Sequence, residues 1–417
     1  MTRGPVLAGL VIAALGCKRS TELIAPSSLE CPTPDAVVHL GGTDGPHCGG
    51  ALAAQFGRYA LCSCDDLIVV ADLFVGNLGG PGKPPPPGSP GGPPPGDGGV
   101  PSGHAGGGTG SSNLPADAGG TPGAVGVNGD VLVWGPTNLN GPLVVSGTGG
   151  VKLTGGYLVG TVRSDGPVNT RAPVGLAGDL YAAGDVDGPF SIGGTLHAPA
   201  SAQLGMGATA AAISREDVTV SPPCGCGNGP LIDIAGAVAD RAQSNANGRV
   251  TFVDEFDDEI DDDATFDWPC GEYYLPALRT SQGASLEFRV HGRVGIFVAG
   301  DVRLGNNLIV SLDSGAELDL VVAGSFYTTG RLFGAPKSPA KLRVWVAAPT
   351  VSLGDQIQFG AVVYAPSAVL SAGVGLTLNG SYFAQTLTAA DDVNIYYDDT
   401  AAQAGQTCGV PALDQVR

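Results

Sequence analysis

The stretch IFVAGDVRLGNNLIVSLDSGAELDLVVAGSFYTTG, Ile296 to Gly330, says one thing twice. FVAGDV starts at Phe297 and VVAGSF at Val321, 24 residues on. Each is an apolar run closed by a small residue and a polar corner. The closing residues continue along the chain as Ala299, Ala323, Ala347 in WVAAP, Ala365 in VYAP and Ala384 in YFAQ, at spacings of 24, 24, 18 and 19. A period of roughly 20 residues marks stacked repeats, each too small to bury its own apolar face. Short strands would place Val, Ile, Leu and Phe inward on the repeat before, with Gly and Asn taking the corners where φ turns positive. The expected fold is therefore all-β, a parallel β-helix (β-solenoid). A β-sandwich is the alternative, since it too has many short strands, but it does not account for recurring xAP and VAG corners.

The same beat occurs upstream. DVLVWG, GPLVVSG, GVKLTGG, GYLVGTV and GDLYAAGDV are short β runs punctuated by Gly, Asn and Asp, and LHAPAS at 196–201 echoes VYAPSA at 363–368. Between residues 79 and 124, 29 of 46 residues are Gly or Pro, which leaves almost nothing to bury against backbone entropy. This tract reads as a disordered loop leaving one β architecture, because ALCSCDDLIVVADLFVGNL (Ala60 to Leu78) before it is already strand-like. The one short helical insertion is expected at Ile232 to Asn247, where Ile234, Val238 and Ala242 recur at helical spacing. The segments are then 1–16 (signal peptide), 17–78 (Cys-rich region and first strands), 79–124 (Pro/Gly tract), 125–222 (first β part), 223–268 (Cys-x-Cys, helix and acidic loop) and 269–417 (second β part).

Composition agrees with strands and turns. Among 417 residues there are 68 Gly, only 2 Met and 14% charged residues, where helical proteins use more straight-chain Glu, Lys, Arg and Met. The net charge of −19, with no basic cluster, repels phosphate backbones and argues against a nucleic-acid partner.

The first residues, MTRGPVLAGLVIAALGCKRS, place Arg3 before an apolar run from Val6 to Leu15 that is too short to span a bilayer, as in a signal peptide. Ala14-Leu15-Gly16-Cys17 resembles a bacterial lipobox, although Ala14 stands where Leu is commoner. That resemblance implies lipidation of Cys17, a membrane anchor, and, with Lys18 following, an outer-membrane or cell-surface location. Eight cysteines remain: Cys31, Cys48, Cys62, Cys64, Cys224, Cys226, Cys270 and Cys408. In an exported chain an even number reads as disulfides. The pairs Cys62/Cys64 and Cys224/Cys226 would each put both sulfurs on one face of a strand, able to staple one layer to a neighbour or, alternatively, to ligate zinc or copper(I).

No serine-hydrolase elbow, P-loop, dinucleotide fingerprint or His-Glu-x-x-His occurs. The histidines, His39, His47, His104, His197 and His291, are scattered, and His197 and His291 are expected on strands, exposed. The acidic run Asp254 to Asp263 has carboxylates suited to calcium but not the spacing that wraps a cation, so it reads as a solvated loop. Parallel β-helices host polysaccharide lyases and hydrolases, for which Asp301, Arg303, Asp313 and Asp319 are the candidates if they converge; Asp301 and Asp319 read more simply as strand ends or solvent-facing residues. Tyr273, Tyr274, Tyr396 and Tyr397 would stack sugar rings if exposed.

With ALCSC, the second Cys-x-Cys, PCGEYYLP (269–276), GAELDLVVAG (315–324), YAPSA and NIYYDD in view, most of the mature chain resembles surface lipoproteins of the myxobacterial type, which are expected to be β-helical. Its second half is more loosely similar to bactofilin-like and adhesin-type solenoids. That family carries no established activity, so it transfers no functional residue. The expected role is non-catalytic: structural, adhesive or display, with extracellular glycan or envelope components as partners. A polysaccharide lyase or hydrolase is the alternative, and metal binding through the Cys-x-Cys pairs the second. No catalytic residue, resident metal or cofactor is assigned. Any function of the opening stretch would lie in outward residues such as Asp301, Arg303 and Asn306.

Overall fold

The computed structural model describes residues 21–23, 39–40, 47–48, 57–78, 123–227 and 232–403. The signal segment, Cys17, Cys31, Cys408, His104 and all but the end of the Pro/Gly tract lie outside them. So do the side chains of His39, His47 and Cys48, which belong to two short antiparallel strands, His39–Leu40 and His47–Cys48.

The chain is all-β. Among the described residues, one sheet of 30 strands contains all but that small pair, and every ladder in it is parallel. An antiparallel sandwich is therefore not what forms. Strands pair with the strand about three places on, so the sheet consists of three rows, and three consecutive strands make one tier. The first row carries Ala264–Trp268, Leu286–Val290 and Leu308–Leu312; the second, Gly271–Leu275, Arg293–Val298 and Glu317–Val322; the third, Leu278–Thr280, Val302–Leu304 and Phe326–Thr328.

The restated phrase lies directly on itself. Val302 is the register partner of Phe326, and Arg303 of Tyr327. The closing alanines each donate their backbone N–H to the tier before, Ala299 to Leu275, Ala323 to Val298 and Ala347 to Val322. Gly324 has to be glycine, because a Cβ there would sit 2.4 Å from backbone atoms of Gly300. Inward positions alternate with outward ones and are buried tier after tier, as with Val294, Ile296 and Val298 over Leu318, Leu320 and Val322. Each such side chain contributes about 1.5–3 kcal/mol by burial.

Corners repeat a polar device. Asp66, Asp130, Asp179, Asp185, Asp301 and Asp355 each accept a hydrogen bond from a backbone N–H one tier further on, at 2.8 to 3.0 Å. Part of the acidic composition is thus structural: a carboxylate satisfies a corner donor that no strand can reach.

Chain order and stacking order differ. From Tyr59 the tiers climb to the strand Thr209–Arg215, which closes one end of the stack. Residues after it run back: the N–H of Val220 donates to Asp165, and Asn128 exchanges two hydrogen bonds of 2.9 Å with the backbone of Cys224. A helix, α1 (Ile234–Gln243), then lies on the second row, against Gly271–Leu275, Arg293–Val298 and Glu317–Val322. Asp233 caps it by accepting from the N–H of Gly236, and Ile234, Ala237 and Val238 are its buried face. It ends earlier than its spacing predicts, because Asn247 instead exchanges two hydrogen bonds with the backbone of Tyr274. The chain re-enters the sheet at Ala264 and climbs until Leu376–Ala389 and Val393–Tyr397 meet Tyr59–Ser63, Leu67–Val69 and Leu73–Asn77 in parallel register. One tier is therefore assembled from both ends of the sequence, and the Pro/Gly tract falls inside the next one, between its first-row strand Leu73–Asn77 and its second-row strand Ala124–Val127.

Candidate ligand-binding faces

The Cys-x-Cys pairs meet at this shared tier. Cys62 is bonded to Cys224 and Cys64 to Cys226, with Cα separations of 5.8 and 5.5 Å, each bridge spanning 162 residues. Two-residue spacing puts both sulfurs of each pair on one side of its segment, so the two bridges run side by side. They staple the returning chain to the middle of the stack. Paired sulfurs hold no thiolate, so the four-thiolate zinc or copper reading loses its ligands. Cys270 is disulfide-bonded as well.

The four polysaccharide-cleavage candidates do not converge; they fall into three arrangements. Asp301 accepts the Ser325 N–H at 2.9 Å and pairs with Arg303, also at 2.9 Å. The Ser325 N–H, followed by the Arg303 guanidinium, holds the Asp301 carboxyl below its ordinary range. Asp313 accepts from His291 at a different corner. Asp319, expected at the surface, is only 1% exposed. Burial would raise its pKa, but Arg343, aided by the Trp345 indole N–H and by Arg293, lowers it. Arg343 is also wholly buried and reaches Glu317 at 2.8 Å. Alternation does send Asp319 outward, yet this outer face of the second row is covered over these tiers, as Phe297, Val321 and Trp345 beside it show.

The same cover removes the tyrosines as sugar platforms. Tyr273, Tyr396 and Tyr397 are buried, and only Tyr274 is partly open. The Tyr273 hydroxyl donates to Pro269 O, and burial pushes its pKa up to about 12. His197 is on a strand as expected, but it stacks on Tyr181 with ring centres 4.1 Å apart and pairs with Glu216. His291 sits just beyond a strand, bridging Asp267 at 3.0 Å and Asp313 at 2.8 Å. Partial burial pulls its pKa down, but the two carboxylates outweigh this and raise it above 6.5.

Two surface concavities lie near the acidic run. One, about 650 Å³, is floored by the outward third-row positions Arg279, Arg303 and Tyr327 and edged by Glu259 and Gln282; the Arg303 guanidinium lies 5.3 Å from the Tyr327 ring centre. Its basic groups suit a carboxylate or sulfate, though Asp301 already engages Arg303. Asn306, in the adjoining corner, is committed to Gly283 O. The other, about 390 Å³, is lined by the carboxylates between Asp254 and Asp263. Those carboxylates are exposed, as a solvated loop requires, but the loop has a second role. Phe252 and Phe256 are buried against Phe266 and Trp268, so the run closes the end of the apolar core. Among the described residues no group of three or more His, Cys, Asp or Glu is placed to hold a metal ion.

Among the described residues, the large aromatic side chains that are exposed are Trp134 and Tyr157. Sequence alternation carries the signal for Trp134: Val131 and Val133 point inward, which fixes its neighbour outward.

Residues 228–404 match the model of a domain of unknown function, DUF7305, which covers less than half of the chain. Neither a curated protein nor a solved structure matches it.

Proposed function

We propose that the protein is an exported, lipid-anchored β-solenoid that serves a non-catalytic structural, adhesive or display role at the outer membrane or cell surface. The observation that carries this reading is the double bridge, Cys62 to Cys224 and Cys64 to Cys226. Such bridges persist in oxidising compartments, and these tie the returning segment to the middle of the stack, as suits a structural element. Further support comes from pairing that advances three strands at a time, as expected of successive solenoid coils, and from the lipobox-like Ala14 to Cys17. A rigid stack presents in-register side-chain rows to envelope components or extracellular glycan, and the lipid on Cys17 would keep it at the membrane.

The test is fractionation of cells expressing the wild type and Cys17→Ser. Wild-type protein in the membrane fraction with Cys17→Ser released supports the reading. Cytosolic protein with reduced Cys62 and Cys224 would overturn it.

A further inference from the structure

One tryptophan departs from the burial of the other two. The chain has three tryptophans; Trp268 and Trp345 are each 0% exposed, whereas Trp134 is 50% exposed. It stands where the strand Val131–Leu139 turns from the third row into the first, at a corner whose flanking residues Val133 and Thr137 each have ladder partners on both sides. The indole is held open to water by a rigid support.

Around it the tiers collect polar groups. Lys152, Asn169 and Asp187 are outward register partners on three successive strands, spaced about 4.8 Å apart. Thr154 and Arg171 occupy the same corner as Trp134 one and two tiers on; Thr154 Oγ1 donates to Val133 O, and the Arg171 N–H to Leu153 O. These six residues line a groove of about 280 Å³. The side chains of Lys152, Asn169, Arg171 and Asp187 form no hydrogen bond or ion pair with another described residue. Two cations, one carboxylate, one amide and an aromatic plate thus face one shallow groove with their bonding capacity unused.

We propose that this groove binds a uronic-acid-containing glycan. The C–H face of a pyranose ring stacks on Trp134, its carboxylate lies between Lys152 and Arg171, and Asn169 and Asp187 take ring hydroxyls. An aromatic plate with convergent donors and acceptors is the chemistry that recognises a sugar, apolar on its ring faces and polar at its rim. The two cations outnumber the one carboxylate of the groove, which favours an acidic sugar over a neutral one. The site goes beyond the surface-display reading, and it is tested on purified full-length protein, so failure here leaves the fractionation result standing.

The experiment titrates hexagalacturonate, with cellohexaose as the neutral comparison, and follows acrylamide quenching of tryptophan fluorescence alongside calorimetry. Since the other two indoles are buried, quenching reports on Trp134. Hexagalacturonate is expected to shield Trp134, and to bind more weakly as salt is raised. Trp134→Ala, and separately Lys152→Gln with Arg171→Gln, should each weaken binding about tenfold or more. Trp134→Phe should retain most of it. No shielding by hexagalacturonate, equal binding of cellohexaose, or unchanged binding by folded Trp134→Ala would each overturn the proposal.

Discussion

Asp319 and Arg343 are register partners on adjacent parallel strands, joined by hydrogen bonds of 2.6 and 2.7 Å in a fully buried fork. Removing one partner leaves the other's charge in a medium that cannot solvate it. Asp319→Ala should therefore cost about 3 kcal/mol or more in urea unfolding. Replacing both, with Asp319→Leu and Arg343→Met, should cost clearly less than the single change. Because the Asp319 pKa is lowered on folding, its stabilisation is full above the ordinary value of 3.8 and is lost as pH falls below it. The wild type should lose stability below about pH 4 more steeply than the double variant.

The two parallel bridges close nearly the same loop. Once one is in place the unfolded chain is already constrained, so the second adds little. Cys62→Ser with Cys224→Ser, or Cys64→Ser with Cys226→Ser, should each have a small effect, whereas removing all four sulfurs should cost about 2–5 kcal/mol. Denaturant midpoints with and without reductant would measure this.

At the repeated corner, Gly324→Ala drives a methyl group into the Gly300 backbone and should cost about 1–3 kcal/mol through overpacking. Asp301→Ala removes the acceptor for the Ser325 N–H and should cost about 1 kcal/mol, since water reaches part of that corner. A larger loss for Asp301→Ala than for Gly324→Ala in thermal unfolding would contradict this account of the corner.

His291 acts in the opposite pH direction. A raised folded pKa gives stabilisation that is full below about 6.5 and lost as pH rises through the folded value. An NMR titration should place the His291 midpoint above 6.5. His291→Gln should flatten the fall in stability across that interval.

What the sequence discloses follows from what alternation and period can encode. The stacking of Val302 on Phe326 is legible because inward positions must recur with every tier. The outward direction of Asp319 is equally legible, but its burial is not, because alternation names the side of a sheet and not what covers that side. The three tyrosines fail as platforms for the same reason. The outward direction of Trp134 is as legible as that stacking, since inward Val131 and Val133 fix their neighbour outward. The contact of Leu61 with Tyr382 has no local signal at all, since nothing near either residue identifies a partner more than three hundred positions away.

The tier shared by both ends sets an order on assembly. Synthesis delivers Tyr59 to Arg215 first, and those strands can stack on one another, but Tyr59–Ser63 then presents a bare parallel edge to any strand that arrives. Only Leu376–Ala389, made more than three hundred residues later, supplies the native neighbour. The newborn amino-terminal half is thus an adhesive intermediate waiting for its own tail, and a carboxy-terminal truncation would be expected to fail by sticking to copies of itself rather than by simply unravelling.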